Sequence, residues 1–102
     1  MYARLTFIEI DPKDAKELSS IYNTEIVAAI RDFKGLQDVY LLEPTDGSGE
    51  VISITTWKSK ADADEYENSG TYRKLVDKLK DKYLSKPVLK TYNAQDSKVP
   101  AM

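Results

Sequence analysis

The chain contains no cysteine and no histidine. Zinc centres, non-haem iron triads and imidazole general bases draw on those two side chains, so the common forms of all three are excluded. No disulfide framework is possible without cysteine, and a cytoplasmic location is the expectation. Glycine is scarce too, at four residues. The turn Asp46-Gly-Ser-Gly49 precedes a strand rather than a helix, which excludes dinucleotide and P-loop phosphate cradles. Acidic residues are scattered or follow helix surfaces without EF-hand spacing, so no metal site is expected. No apolar run approaches the roughly 20 residues of a membrane span, and none is expected. The opening Met-Tyr-Ala-Arg-Leu-Thr shows no basic region leading into an apolar stretch, so no secretory signal is read there. An excess of positive charge is missing as well. Fifteen basic residues face seventeen acidic ones, for a formal charge of −2, which argues against a nucleic-acid-binding face.

What remains is a chain of 102 residues with ordinary charged (31%) and apolar (41%) fractions, the composition of one globular domain. The stretch from Gly35 to Ala63 says most about its fold. Two β-rich runs flank the Asp46–Gly49 turn, which is hairpin patterning. The second run ends in the single tryptophan, Trp57. Ser59 then caps a helix, with Asp62 three residues on as the second half of a capping box. Upstream, Tyr2 to Ile10 alternate as a first strand. Asp11-Pro12 reads as a helix N-cap and first helical position. Leu18, Ile21, Tyr22, Ile26, Ala29, Ile30 and Phe33 form one buried helical stripe that ends at Lys34-Gly35. Downstream, the helix from Ser59 to Asn68 breaks at Ser69-Gly70. A second helix runs from Thr71 to about Leu84, with Tyr72, Leu75, Val76, Leu79 and Tyr83 on one side. Pro87 opens a last strand, Val88 to Asn93. Residues 1–93 are thus read as one domain, and 94–102 as a loose tail.

The order β-α-β-β-α-β predicts an α+β, ferredoxin-like fold: one antiparallel sheet with helices on one face. Such a sheet should be apolar on that face alone. Here both faces are apolar. Val51 and Trp57 oppose Ile52 and Ile54; Leu36, Tyr40 and Leu42 oppose Val39 and Leu41; Leu5 and Phe7 oppose Ile8 and Ile10. A second sheet from an identical chain would cover the uncovered face, so a homodimer is expected, two sheets closing as a dimeric α/β barrel.

The element order, the Phe33-Lys-Gly35 helix ending, the Leu41-Leu-Glu-x-x-Asp-Gly47 hairpin and Trp57-Lys-Ser-Lys-Ala61 resemble the antibiotic biosynthesis monooxygenase family over about residues 2–93. The resemblance implies a small dimeric α/β barrel. Its members include cofactor-free oxygenases, haem-degrading enzymes and proteins without known activity, so it carries fold further than function. The haem-degrading branch uses an Asn, a Trp and a His, and the matching positions here are Ala3, Tyr66 and Val76. The cofactor-free branch pairs the strand-ending Trp with an Asn four residues earlier. Trp57 is kept in this sequence, and Ser53 stands at the Asn position.

A cofactor-free oxygenase needs an apolar pocket for a flat aromatic and a few donors for the developing oxyanion. The resemblance therefore makes Trp57, Ser53 and Tyr66 candidate catalytic residues, and Tyr72, Arg73, Tyr22 and Asn23 candidate substrate-binding residues. No cofactor is implied, and the expected partner besides a second copy is a small aromatic ligand. Each candidate also has a plainer reading. Trp57 is equally a core plug, and Tyr66 and Tyr72 suit the rim of a core or interface. Asn23 is a weak helix former in mid-helix, which hints at a pocket or a dimer contact. Arg4, Arg31 and Arg73 read as surface ion-pairing residues. No residue stands out as a general base.

Overall fold

Strand β1 (Tyr2–Glu9) is central in a four-stranded antiparallel sheet of the computed structural model, with strand order β2-β3-β1-β4. The structure describes residues 1–95 and 97. β1 pairs along its whole length with β3 (Glu50–Trp57), from Tyr2 opposite Trp57 to Glu9 opposite Glu50. On its other edge it pairs with β4 (Val88–Asn93). β2 (Leu36–Leu42) completes the hairpin with β3. Within that hairpin, Asp46 Oδ1 accepts from the Ser48 N–H at 2.9 Å and fixes the turn. The order is the ferredoxin-like one expected from the sequence.

Four α-helical segments cover one face: α1 (Ala15–Ile21), α2 (Val27–Ile30), α3 (Lys60–Asn68) and α4 (Thr71–Lys78). Asp11 accepts from the Lys13 N–H at 3.1 Å with Pro12 at the first helical position. Ser59 accepts from the Asp62 N–H at 3.2 Å, one half of the capping box. The first helical stretch ends at Ile30 with Arg31 as its cap, earlier than the Lys34-Gly35 ending expected; Gly35, with φ +84°, takes the left-handed conformation in the turn that leads into β2.

Three details depart from regular periodicity. The first helical stretch is not continuous α-helix. It opens with a 3₁₀ turn at Pro12–Asp14, and five π-helical residues, Tyr22–Ile26, join α1 to α2. The wider turn leaves Ala29 exposed while Leu18, Tyr22, Ile26 and Ile30 are buried. The last helix stops at Lys78, and Lys80–Lys82 follow as a 3₁₀ turn, so Tyr83 is extended rather than helical. In β2 the register shifts between Leu36 and Asp38. This bulge turns Leu36 toward the helices, where it packs with Trp57, Phe33 and Val39, and not with Tyr40 and Leu42.

The core lies between sheet and helices in two clusters, one around Ile10, Leu18, Tyr22 and Val51, the other around Ile30, Trp57, Ala63 and Tyr66. Burying each large aliphatic side chain there contributes roughly 1.5–3 kcal/mol. The opposite sheet face carries half-buried Leu5, Phe7, Ile52 and Ile54, and its Tyr40, Leu42, Val88 and Tyr92 are 45–55% exposed. Of the expected tail, Ala94 extends the sheet through mutual hydrogen bonds with Met1, at 2.8 and 3.1 Å; residues 96 and 98–102 lie outside the described residues.

Candidate functional site

Between the sheet and the two helical arms lies a cavity of about 50 Å³. Its floor is the helix-facing side of the sheet: Arg4, Thr6 and Ile8 of β1, Leu41 of β2, Ser53 and Thr55 of β3. One wall is Leu18, Tyr22, Ile26 and Ile30; the other is Tyr72, Leu75, Val76, Leu79 and Tyr83, with Tyr66 at one end. Liquid water takes roughly 30 Å³ per molecule, so the space admits one or two waters. A pocket for a small metabolite needs roughly 300 Å³ or more.

Polar groups enter this apolar space in pairs. The Tyr22 hydroxyl lies 2.6 Å from Ser53 Oγ, and 3.4 Å from the Tyr40 carbonyl, to which it donates. The π turn is what carries Tyr22 over Ser53, and π turns recur at functional sites. Across the cavity, the Tyr72 hydroxyl lies 3.1 Å from Thr6 Oγ1. Desolvation pushes the Tyr22 phenol up from its ordinary pKa, against the hydrogen bond from Ser53. Burial raises Tyr66 far above the ordinary range, although the nearby Arg4 charge opposes the shift. Tyr83 is pushed up to about 12, again mainly by burial. All three phenols are therefore neutral near pH 7, and none is a ready base.

Arg4 is the unexpected member. It is 5% exposed, in contrast to the surface ion pair expected of it. Its guanidinium carbon lies 4.7 Å from the Tyr72 ring centre and 5.3 Å from that of Tyr66. Its one side-chain hydrogen bond among the described residues runs from Nη2 to Glu67 Oε1 at 3.4 Å. Glu67 Oε2 is buried with no hydrogen-bond partner among them. The signal was present in the sequence, because Arg4 shares the inward side of β1 with Thr6, Ile8 and Ile10.

The other candidates separate into two groups. Ser53, Tyr22, Tyr66 and Tyr72 converge on the cavity. Trp57 is fully buried behind Tyr66, its ring stacked at 5.0 Å and 26°, with its Nε1–H donating to Thr55 Oγ1 at 3.0 Å. It does not line the cavity. Phe33 meets the same Tyr66 ring edge-on at 5.1 Å. Asn23 is exposed, and its side-chain amide donates to Ser19 Oγ at 3.4 Å. Arg73 is exposed on an outer groove between α4 and β4. Ala3 lies on the opposite sheet face from Arg4 and Thr6, so it does not reach the cavity, whereas Tyr66 and Val76 do. Among the described residues, no group of three or more acidic side chains is placed to hold a metal ion.

A sequence model described as antibiotic biosynthesis monooxygenase matches residues 1–78. The chain belongs to the antibiotic biosynthesis monooxygenase family. No curated protein sequence matches it significantly. Solved structures of family-like proteins do. A Streptomyces coelicolor monooxygenase in complex with the ligand nanaomycin D superimposes with TM-score 0.82 at 12% identity, covering 98% of this chain and 92% of that one. A putative antibiotic biosynthesis monooxygenase from Deinococcus radiodurans gives TM-score 0.79 at 16% identity, covering 100% and 99%. A haem-degrading protein from Mycobacterium tuberculosis gives TM-score 0.71 at 16% identity, covering 98% and 96%. At these identities the likeness is one of fold, and two different chemistries share it.

Proposed function

We propose that this family member is a cofactor-independent monooxygenase of a small aromatic or quinone-like metabolite, working as a homodimer in the cytoplasm. The observation that supports the reading is the apolar cavity of about 50 Å³, partly open, into which the Tyr22–Ser53 and Tyr72–Thr6 hydroxyl pairs project. An activated CH₂ next to a phenol or enol loses a proton, and the carbanion adds O₂ to form a hydroperoxide. Loss of water leaves a carbonyl. One oxygen atom ends in product and one in water, and the substrate supplies all the electrons, so no external reductant enters. The chain's residues would hold the ring, exclude water and donate hydrogen bonds to the developing oxyanion. In this reading Tyr22, Ser53 and Tyr66 take those roles. Trp57 supports them from behind, by fixing the Tyr66 ring.

Haem fits the residues poorly. The chain offers neither His nor Cys, the Tyr22, Tyr66 and Tyr83 phenols are held neutral by burial, and Val76 stands where the haem-degrading branch has its ligand. A second reading, a non-catalytic ligand-binding dimer, is favoured by one observation: the space beside Trp57 is filled by Tyr66. The homodimer in either reading is supported by the apolar outer sheet face.

Oxygen uptake with anthrones, dihydroquinones and polyphenols, run metal-free with a separate haem arm, tests the proposal. Enzyme-dependent uptake without metal is expected. Uptake only with haem would overturn it, and no uptake together with ligand binding would favour the second reading.

A further inference from the structure

The cavity of about 50 Å³ is too small for the ligand proposed above, so it must join other space. An open groove of about 710 Å³ lies beside it, between α4 and β4. Tyr72, Val76 and Tyr83 line both spaces and form the partition between them. The opposite flank of the cavity is strapped. Lys78 of α4 pairs with Glu25 of the π turn at 2.6 Å, and Lys82 pairs with Glu17 of α1 at 2.9 Å. No ion pair among the described residues joins α4 to β4; on the groove side the chain after α4 is tied to the sheet by the Leu84 N–H donating to the Glu9 carbonyl at 2.8 Å, and α4 itself by the Tyr72 hydroxyl at Thr6.

From this the geometry points to Tyr72 as an internal stand-in for the ligand. Its phenol occupies the seat of a planar aromatic phenol, which arrives through the α4–β4 groove, displaces the Tyr72 ring and binds its oxygen at Arg4. The inference rests on reading this cavity as the ligand site, and it names the class of ligand.

Three observations support it. First, Tyr72 shows that the seat takes an aromatic ring carrying a phenol hydroxyl. Its ring lies over the guanidinium and its hydroxyl meets Thr6. Second, little holds Tyr72 beyond its ring contacts with Arg4 and Tyr66. It is half-buried, one neutral hydrogen bond fixes its tip, and α4 contains no fully buried residue. Third, the polar floor beneath it is unfinished. Arg4 spends one donor of its fork on a long contact with Glu67, and Glu67 Oε2 has no partner among the described residues. A phenol oxygen can accept from Arg4 while its O–H donates to Glu67, and this satisfies both groups. Glu67 also lines the groove by which the ligand arrives.

The test is an anaerobic binding titration with 2-naphthol and with 2-methoxynaphthalene, the same ring without the donor. Working without oxygen keeps binding separate from turnover. A naphthol that binds as described by a chain that consumes no oxygen would sink the oxygenase reading and leave this one standing. Tyr72→Ala is expected to tighten 2-naphthol about tenfold and 2-methoxynaphthalene much less. Adding Arg4→Gln to Tyr72→Ala should erase the preference for the phenol. Equal gains for both probes would show that the hole alone matters, and would overturn the role of Arg4. A folded Tyr72→Ala with no gain would overturn the stand-in. Should Tyr72→Ala not fold, 3-fluorotyrosine labelling of the unmutated chain decides. Saturating 2-naphthol shifts the Tyr72 fluorine resonance, assigned by its loss in Tyr72→Phe, if the ring is displaced. An unmoved resonance at saturation overturns the proposal.

Discussion

A guanidinium that is 5% exposed must recover its lost hydration from the protein, and Arg4 does so through one carboxylate oxygen and two ring faces. The buried atom left without a partner beside it, among the described residues, is Glu67 Oε2. Trp57 is its opposite. The indole is fully enclosed, its one donor is satisfied by Thr55, and Tyr66 stands between it and the cavity. A side chain so placed acts through packing. Trp57→Phe removes ring volume and strands Thr55 Oγ1 without its donor, so unfolding free energy should fall by about 1–3 kcal/mol, read by denaturant titration. Turnover lost with the unfolding midpoint unchanged would return Trp57 to the chemistry. The sequence showed that Trp57 ends a strand, but not which of its neighbours would reach the cavity first. Arg4 is hard to read from sequence for a related reason: arginine so often lies at the surface that residue type points outward while strand parity points inward.

At the scale of elements, the ends of helices and strands carry more information than their middles. Gly35 turns the chain from α2 into β2 with φ +84°, and its carbonyl accepts from the Lys58 N–H at 2.8 Å, tying that turn to the approach to α3. An added Cβ there would overlap the Asp62 side chain. Gly35→Ala should therefore cost roughly 1–3 kcal/mol. Asp62→Ala in the same chain should restore only part of this, since the backbone strain stays. Equal unfolding midpoints for Gly35→Ala and the parent chain would refute the account. Turn residues and caps of this kind are local chemistry, and they were legible: the β-α-β-β-α-β order, Asp11, Ser59 and the Asp46 turn all follow from side chains next to the backbone they bind. The π turn at Tyr22–Ile26 was not legible. Residues 18, 22, 26 and 30 fit an α stripe as well as a π-widened one, and only the burial of Tyr22 over Ser53 with Ala29 left exposed tells them apart. The bulge in β2 was hidden in the same way. One extra residue inverts the side of Leu36 while every residue type still suits a strand.

For the whole molecule, the question is what covers the second apolar sheet face. Four strands spaced about 4.8 Å apart and eight residues long at about 3.3 Å give a footprint of roughly 500 Å². The accessible area of its side-chain ridges is larger, near the roughly 800 Å² per partner of a standard interface. Glu9, Asp38 and Glu50 share this face at the strand ends; nearer its middle Lys90 lies over the Phe7 ring at 5.4 Å, so that its stem extends the apolar patch. Ile54 sits on β3 between β1 and β2, opposite Leu5 on one side and Tyr40 on the other. A two-fold dimer repeats each residue, so Ile54→Lys places two ammonium groups in the interface. Burying an unpaired charge costs several kcal/mol, while a micromolar dimer is held by only about 8 kcal/mol. Sedimentation equilibrium at micromolar concentration should therefore give twice the chain mass for the parent and the single-chain mass for Ile54→Lys, with the far-ultraviolet spectrum unchanged. A parent chain that sediments at its own mass under those conditions would leave the face uncovered and remove the dimer from both functional readings. Because that face lies on the far side of the sheet from Arg4 and Tyr72, loss of the dimer should reach the cavity only through the strands, and naphthol binding by Ile54→Lys measures how rigidly they transmit it.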